Sequence, residues 1–360
     1  MKMMQKTIVS AGAGEQAGEA FFFDSLKSFS VLFIPRTKDI VWARFGLSGK
    51  KPKTLEAIGQ EYGITRERVR QILASAFSSV RLQRDTEPFK MVSDRIESAI
   101  GDRGGIVSVP DLFIILADGS WKEAGALSFF LECIRSVKEM KETSTRERAF
   151  VVPSFSQEEC DTTFAIAEKI VRATGRAMKE EEFYTLAVKE GITIDRKRFF
   201  DLLAVSARIR KNPFGYWGLA DSDDISPRGT REKARLVLKM NGSPMHFKEI
   251  AAGIDEAGLQ KRGRKTHAQT VHNELIKDRN FVLVGRGLYA LSDWGYTRGT
   301  VRQVISDILR AKGNPMNREE IIAAVSKVRT VKRSTIVINL NAFFEKVGKD
   351  RYTVNVKEGK

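Results

Sequence analysis

Over residues 54–76 the apolar positions recur every three to four residues and are interrupted once by a short polar turn, which predicts two helices. Leu55, Ile58 and Tyr62 form the first stripe after Thr54, a residue type that caps helix starts, and Gly63 can take the left-handed conformation that ends a helix. Thr65 restarts the chain as a second cap. Val69, Ile72, Leu73 and Ala76 then make one apolar stripe, turning Arg66, Glu67, Arg70 and Gln71 to the opposite face. Presented to a DNA major groove, such a face has usable chemistry: Arg forks onto guanine, Gln onto adenine, and Glu accepts from the cytosine amino group. Taken alone, alternating Arg and Glu equally describes a solvated face with internal ion pairs.

Further along, one pattern returns four times, as GGIVSVPDL, GRAMKEEEF, GSPMHFKEI and GNPMNREEI. Val107, Met178, Met245 and Met316 mark it at steps of 71, 67 and 71 residues. Each unit closes on an aromatic two positions before an aliphatic: Phe150 and Val152, Trp217 and Leu219, Tyr289 and Leu291, Tyr352 and Val354. A helix before each motif, a second within it, a third after it and a closing hairpin predict a winged helix-turn-helix. The stretch NFVLVGRGLYALSDWG, with Gly285, Arg286 and Gly287 at its tip, is the clearest wing. The expected fold is therefore mainly α, a helix-turn-helix domain followed by tandem winged modules with short β-hairpin wings. The expected organisation is a flexible arm at 1–30, a helix-turn-helix at 31–84, diverged winged helices at 90–155 and 160–225, and better-formed ones at 228–297 and 298–360. Within the arm, Phe21, Phe22 and Phe23 read as the start of the first helix of the domain.

Two stretches resemble known families. RFGLSG at 44–49, TLEAIG at 54–59 and ITRERVRQI at 64–72 stand in the order and near the spacing of region 4 of the bacterial sigma-70 family, which reads the promoter −35 element. The resemblance implies base-reading roles for Arg66, Glu67 and Gln71, with Thr54 and Arg70 near the phosphate backbone; helix geometry also sets Arg70 on the base-facing side. Lys53 and Thr65 flank the same face. Ala57 stands where the family usually carries an acid, and nothing resembles the aromatic-rich region that melts the −10 element, so a complete sigma factor is not expected. The third repeat unit, through SPMHFKEIA, KTHAQTV and FVLVGRGLYAL, is similar to the HARE-type helix-turn-helix domain. Its third helix is expected to bury Ala268, Val271 and Leu275, leaving Thr266, Thr270, Asn273 and Lys277 outward. With Lys261, Arg262, Arg264, Lys265 and Arg286 these form an expected phosphate-tracking surface. In the fourth unit Lys327, Arg329, Lys332 and Arg333 occupy the corresponding place.

Charge sharpens this picture. The 360-residue chain carries a formal net charge of +16, which points to a polyanionic partner. The sign is segmental: 11 basic against 4 acidic side chains over 36–84, 20 against 25 over 85–227, 14 against 7 over 228–299 and 13 against 6 over 300–360. The first domain and the last third are the expected DNA-facing parts, and the acidic middle, with Glu180, Glu181 and Glu182, suits a spacer or a polymerase-binding surface. Charge and helix geometry make double-stranded DNA the expected partner, the resemblance to sigma region 4 implies RNA polymerase core as a second, and no small-molecule substrate is expected.

Catalytic chemistry is sparse. Pro110, Asp111, Glu139 and Lys141 formally fit a nuclease metal pattern, yet Asp111 sits at the repeat position held by Glu182, Glu249 and Glu320, which assigns it to helix architecture. His267 and His272 lie five apart, off the helical ligand spacing, and read as surface residues. The Gly-rich run at 12–18 lacks the Lys of a phosphate loop. No enzyme activity, metal or cofactor is expected. Cys133 and Cys160 form no CxxC pair, no apolar run spans a membrane, and no signal peptide opens the chain, so a cytoplasmic location is expected.

Overall fold

The computed structural model describes residues 20–261, 263–296 and 298–354. In order, the first elements are α1 (Phe21–Phe29), α2 (Pro35–Phe45), α3 (Leu55–Tyr62), α4 (Arg66–Arg81), α5 (Glu87–Gly101), β1 (Ile106–Ser108), α6 (Val109–Ala117) and α7 (Trp121–Cys133). They are followed by β2 (Lys138–Met140), β3 (Ala149–Val151), α8 (Gln157–Thr174), β4 (Met178–Lys179), α9 (Glu180–Lys189), α10 (Arg196–Leu203), β5 (Ile209–Lys211) and β6 (Tyr216–Leu219). The third module comprises α11 (Thr230–Asn241), β7 (Met245–His246), α12 (Phe247–Glu256), α13 (Ala268–Lys277), β8 (Phe281–Gly285) and β9 (Leu288–Leu291). The fourth comprises α14 (Val301–Lys312), β10 (Met316–Asn317), α15 (Arg318–Val328), α16 (Arg333–Phe343), β11 (Glu345–Lys346) and β12 (Arg351–Thr353). The described chain divides into two compact units, one reaching residue 175 and including 180–210, the other formed by 176–179 and residues from 211 onward.

The repeat found in the sequence is a sheet register. Each small sheet pairs the motif position with the closing aromatic: Val107 with Phe150, Met178 with Trp217, Met245 with Tyr289 and Met316 with Tyr352. Strand orders β1-β3-β2, β7-β9-β8 and β10-β12-β11 are those of winged helices. The repeated acid is also structural. Glu249 and Glu320 close capping boxes by accepting from the backbone N–H of His246 (2.9 Å) and Asn317 (3.2 Å). Asp111 accepts from the Ser108 hydroxyl at 2.6 Å, and Ser108 in turn caps α6.

Two expectations change in the first unit. Helix α1 starts at Phe21 as the aromatic triplet predicts, so it is the arm's bound at residue 30 that changes: Phe22, Leu26 and Phe29 lie on one face and are buried; the rest of that arm, with the Gly-rich run, lies in 1–19, outside the described residues. The helix-turn-helix and the first winged module also share one hydrophobic core running from Phe22 to Val152. The cause is α7. Apolar or small on nearly every side, it buries Ala124, Gly125, Ala126, Leu127, Ser128, Phe129 and Phe130. Phe129 meets Phe33, Phe45 and Phe77 at ring-centroid distances of 6.2, 5.5 and 5.1 Å. Gly125 lies so close to α2 that a Cβ there would stand 2.2 Å from the Phe45 carbonyl oxygen. Buried Glu123 reaches α1, accepting from the N–H groups of Phe22 (2.9 Å) and Phe23 (2.7 Å). Burial pushes this carboxyl above its ordinary value, against the pull of those two N–H donors.

Candidate nucleic-acid interface

The turn between α3 and α4 is fixed by its small residues and caps. Gly63 ends α3 in the left-handed region (φ 64°), and a Cβ on Gly59 would stand 2.7 Å from the Ile64 carbonyl oxygen. Thr54 and Thr65 cap the two helices, their hydroxyl oxygens each accepting at 3.1 Å from the N–H of Ala57 and Arg68. Val69, Leu73, Ala76 and Val80 are buried, which leaves Arg66, Glu67, Arg68, Arg70 and Gln71 together in solvent. Arg70 forks onto Glu67, with Nη2–Oε1 at 2.6 Å and Nε–Oε2 at 2.9 Å, and Arg68 donates to Gln71 Oε1 at 3.2 Å. The Arg70 hydrogen bond holds the Glu67 carboxyl below its ordinary value. Exposed pairs of this kind are weak and exchange readily for other partners.

Before α3, Lys53 pairs with Glu61 at 2.5 Å in an exposed contact. The buried Arg44 guanidinium donates to the Lys53 carbonyl oxygen at 2.7 Å, and burial pulls its pKa below the ordinary value. Arg36 donates to the Tyr62 carbonyl oxygen at 3.1 Å. Sequence reasoning gave Arg36, Arg44 and Arg68 no individual roles, although Arg44 opens the RFGLSG motif and Arg68 is the third helical residue after the Thr65 cap.

In the third module the expected residues separate into exposed and engaged groups. Lys261, Arg264 and Lys265 are exposed before α13, and Arg262 lies outside the described residues. Thr266 is half-buried and anchors that loop: its N–H and hydroxyl donate to Asp255, the hydroxyl at 2.5 Å, while its oxygen accepts from Gln260. These bonds hold the Asp255 carboxyl below its ordinary value. Thr270 and Asn273 are exposed on α13, whose Val271 and Leu275 are buried and whose Ala268 is half-buried against the core. Lys277 is exposed and lies 3.8 Å from Glu274, which also holds Arg231 at 3.0 Å. Arg286 projects from the hairpin tip beside Gly287, which is left-handed (φ 71°). His267 is exposed, whereas His272 is half-buried and stacked on Phe247 with centroids 4.4 Å apart, a departure from the surface reading.

The fourth module corrects one residue outright. Arg329 is 6% exposed and binds the carbonyl oxygens of Gly299 and Leu283, the latter at 3.0 Å, and Thr330 N–H donates to Val284 at 3.1 Å. Arg329 follows α15 in extended backbone, which lays it against the wing of the third module. Arg333 is exposed and pairs with Glu319; Lys327 and Lys332 are exposed.

The third helices of the first two winged modules differ: α7 is closed, while α10 keeps Arg196 and Lys197 exposed among acidic partners. Helix α7 is buried, and on α10 Lys197 pairs with Asp201 (2.8 Å) and Arg198 with Glu159. Glu139 is held by Arg148. Among the described residues no three His, Cys, Asp or Glu side chains converge as metal ligands, and no helix is long and apolar enough to cross a membrane. Cys133 and Cys160 are buried, and burial pushes both thiols up.

These features define a DNA-binding helix-turn-helix class with multiple modules. The sigma-70 region 4 family model matches residues 35–82, and the HARE-HTH family model, a helix-turn-helix domain described from ASXL proteins and restriction endonucleases, matches 229–294. Over 47 residues the chain is 49% identical to the RNA polymerase sigma factor SigA of Nostoc sp. and to SigA of Synechocystis sp.. The match covers 13% of this chain and 12% and 11% of those proteins, so the chain spans about an eighth of the length of these curated relatives.

Proposed function

We propose that the protein is a non-catalytic transcription regulator that docks on a −35-like promoter element through α4. Arg66, Glu67, Arg70 and Gln71 read base edges, while Thr54, Lys53 and Thr65 lie along the flanking phosphates. The observation that carries this reading is the exposed, capped N-terminal half of α4, inside residues 35–82 that match the sigma-70 region 4 family model. The basic C-terminal modules hold neighbouring DNA through Lys261, Arg264, Lys265, Arg286, Lys332 and Arg333. RNA polymerase is the proposed protein partner, drawn from the named role of the relatives, and the cytoplasm is the proposed location. The competing readings are an accessory polymerase-binding protein without base reading and a DNA-targeting subunit of a restriction or defence system.

Selection of bound fragments from random duplex DNA tests the reading, with the full chain compared with a variant carrying Arg66→Ala, Glu67→Ala and Gln71→Ala. A −35-like element that disappears in the variant supports promoter reading. An element set unchanged by the substitutions overturns it. Co-purification of core polymerase separates a transcription role from a defence role.

A further inference from the structure

Four third helices share one register, α10 among them with cap Asp195 and buried Phe199 and Leu203. In α4, α13 and α16 the cap is Thr65, His267 and Lys332, and the helix begins at the next residue. In each, the fourth and eighth helical residues are buried: Val69 and Leu73, Val271 and Leu275, Ile336 and Leu340. Helix start and core anchor agree, so positions can be compared one by one. Gln269 of α13 takes the place of Glu67, and Asn273 takes the place of Gln71. Both are exposed, four residues apart on one face, and Gln269 Nε2 donates to Asn273 Oδ1 at 3.2 Å.

From this, and resting on the reading of the protein as a DNA binder, we propose that α13 is a second base-reading helix that takes A·T pairs in the major groove through Gln269 and Asn273. An amide side chain presents one donor and one acceptor, the complement of adenine N6–H and N7. The bond between the two amides uses one N–H and one oxygen, leaving an outward acceptor and an outward donor whichever way the amides are turned. Thr270, exposed between them, offers its methyl group to a thymine methyl. Exposed Lys265 and Arg264 before the helix, and Arg286 at the wing tip, supply the cations that hold phosphates on either side.

The other third helices lack this arrangement. In α16 the Gln71 place is taken by Ile338, 65% exposed and without a hydrogen-bonding group on its side chain. In α10 it is taken by Asp201, held by Lys197. The amide pair is thus particular to the third module among the described helices, and its function is selection of sequence in addition to attachment to the backbone.

The test is fragment selection by the full chain, run on the wild type, on Gln269→Ala with Asn273→Ala, on Asn273→Asp, and on the Arg66, Glu67 and Gln71 alanine variant. Both amides are exposed, and unchanged thermal unfolding of each variant verifies folding. The expected result is an A·T-containing element, distinct from the α4 element, for which the double alanine variant loses preference by about 5- to 150-fold per base pair. Asn273→Asp should move the preference at one position from adenine to cytosine, because a carboxylate only accepts. Loss confined to the α4 variant's own element leaves this proposal standing. Loss of the α4 reading, with an amide-dependent element still selected, removes the promoter role and supports α13 as a reader. Selection identical in the wild type and the double alanine variant overturns the proposal.

Discussion

Helices α4 and α7 begin alike and are used in opposite ways. Each follows a hydroxyl cap, Thr65 or Ser120, that accepts from the N–H three residues on. Helix α4 keeps its charged half in solvent and buries a single stripe. Helix α7 has Ala124, Gly125 and Ala126 where α4 has Val69, Arg70 and Gln71, and it is buried almost all round beneath α1, α2 and α4. The third helix of a helix-turn-helix is a candidate reader only while its polar face stays open. In the first winged module that helix has become the support beneath α4, the proposed reading helix, so one fold serves two structural uses within one chain.

The comparison is broken most severely at the support. Phe129→Ala removes a ring packed among four others and should destabilise the first unit by about 3–5 kcal/mol, seen as a lower denaturant midpoint. Glu123→Ala should cost about 1–3 kcal/mol by leaving the N–H groups of Phe22 and Phe23 without an acceptor. Glu123→Gln keeps one of the two acceptors and loses the charge. Because the folded pKa of Glu123 lies above its unfolded value, the folded state binds its proton more tightly. Its contribution is fullest below the ordinary glutamate range and is lost as pH rises through the folded pKa. The glutamine variant should flatten that slope in unfolding measured against pH.

At the reading face the effects move from stability to binding. Arg66→Ala should leave unfolding within about 0.5 kcal/mol and remove about 1–3 kcal/mol of discrimination at one base pair, read by titration of duplex variants. Smallest is Lys265→Ala, which should weaken binding to all sequences alike and reduce the salt slope by about one. A base-specific loss from Lys265→Ala would place that residue in the groove.

The α3–α4 pair was legible because its determinants are local, and the four repeats because their pattern recurs, each Met or Val followed at 36 to 44 residues by its aromatic partner. A cap, a left-handed glycine and an apolar stripe lie within a few residues of one another, and the repeated Met or Val meets its aromatic in a short antiparallel register. The supporting role of α7 was not, since it depends on Phe45 and Phe77 far back in the chain. Its signal was an apolar circumference where a groove helix needs a polar face. Glu123 capping α1 from a hundred residues away escaped local reading for the same reason. Arg329 was misplaced among DNA contacts because a basic residue before a third helix looks the same whether it meets phosphate or carbonyl oxygens. Only the packing of the fourth module against the neighbouring wing decides it. The bond from the Thr266 hydroxyl to Asp255, eleven residues back, was likewise not legible.

The central claim is that α4 reads bases and α7 only supports it. The most direct test is equilibrium titration of the selected duplex, and of a full set of its single base-pair variants, with the wild type and Arg66→Ala. The account expects discrimination to fall by about 5- to 150-fold at one base pair and to be retained elsewhere. A uniform loss across all positions would reduce Arg66 to a phosphate contact and contradict the assignment of α4 as the reading helix.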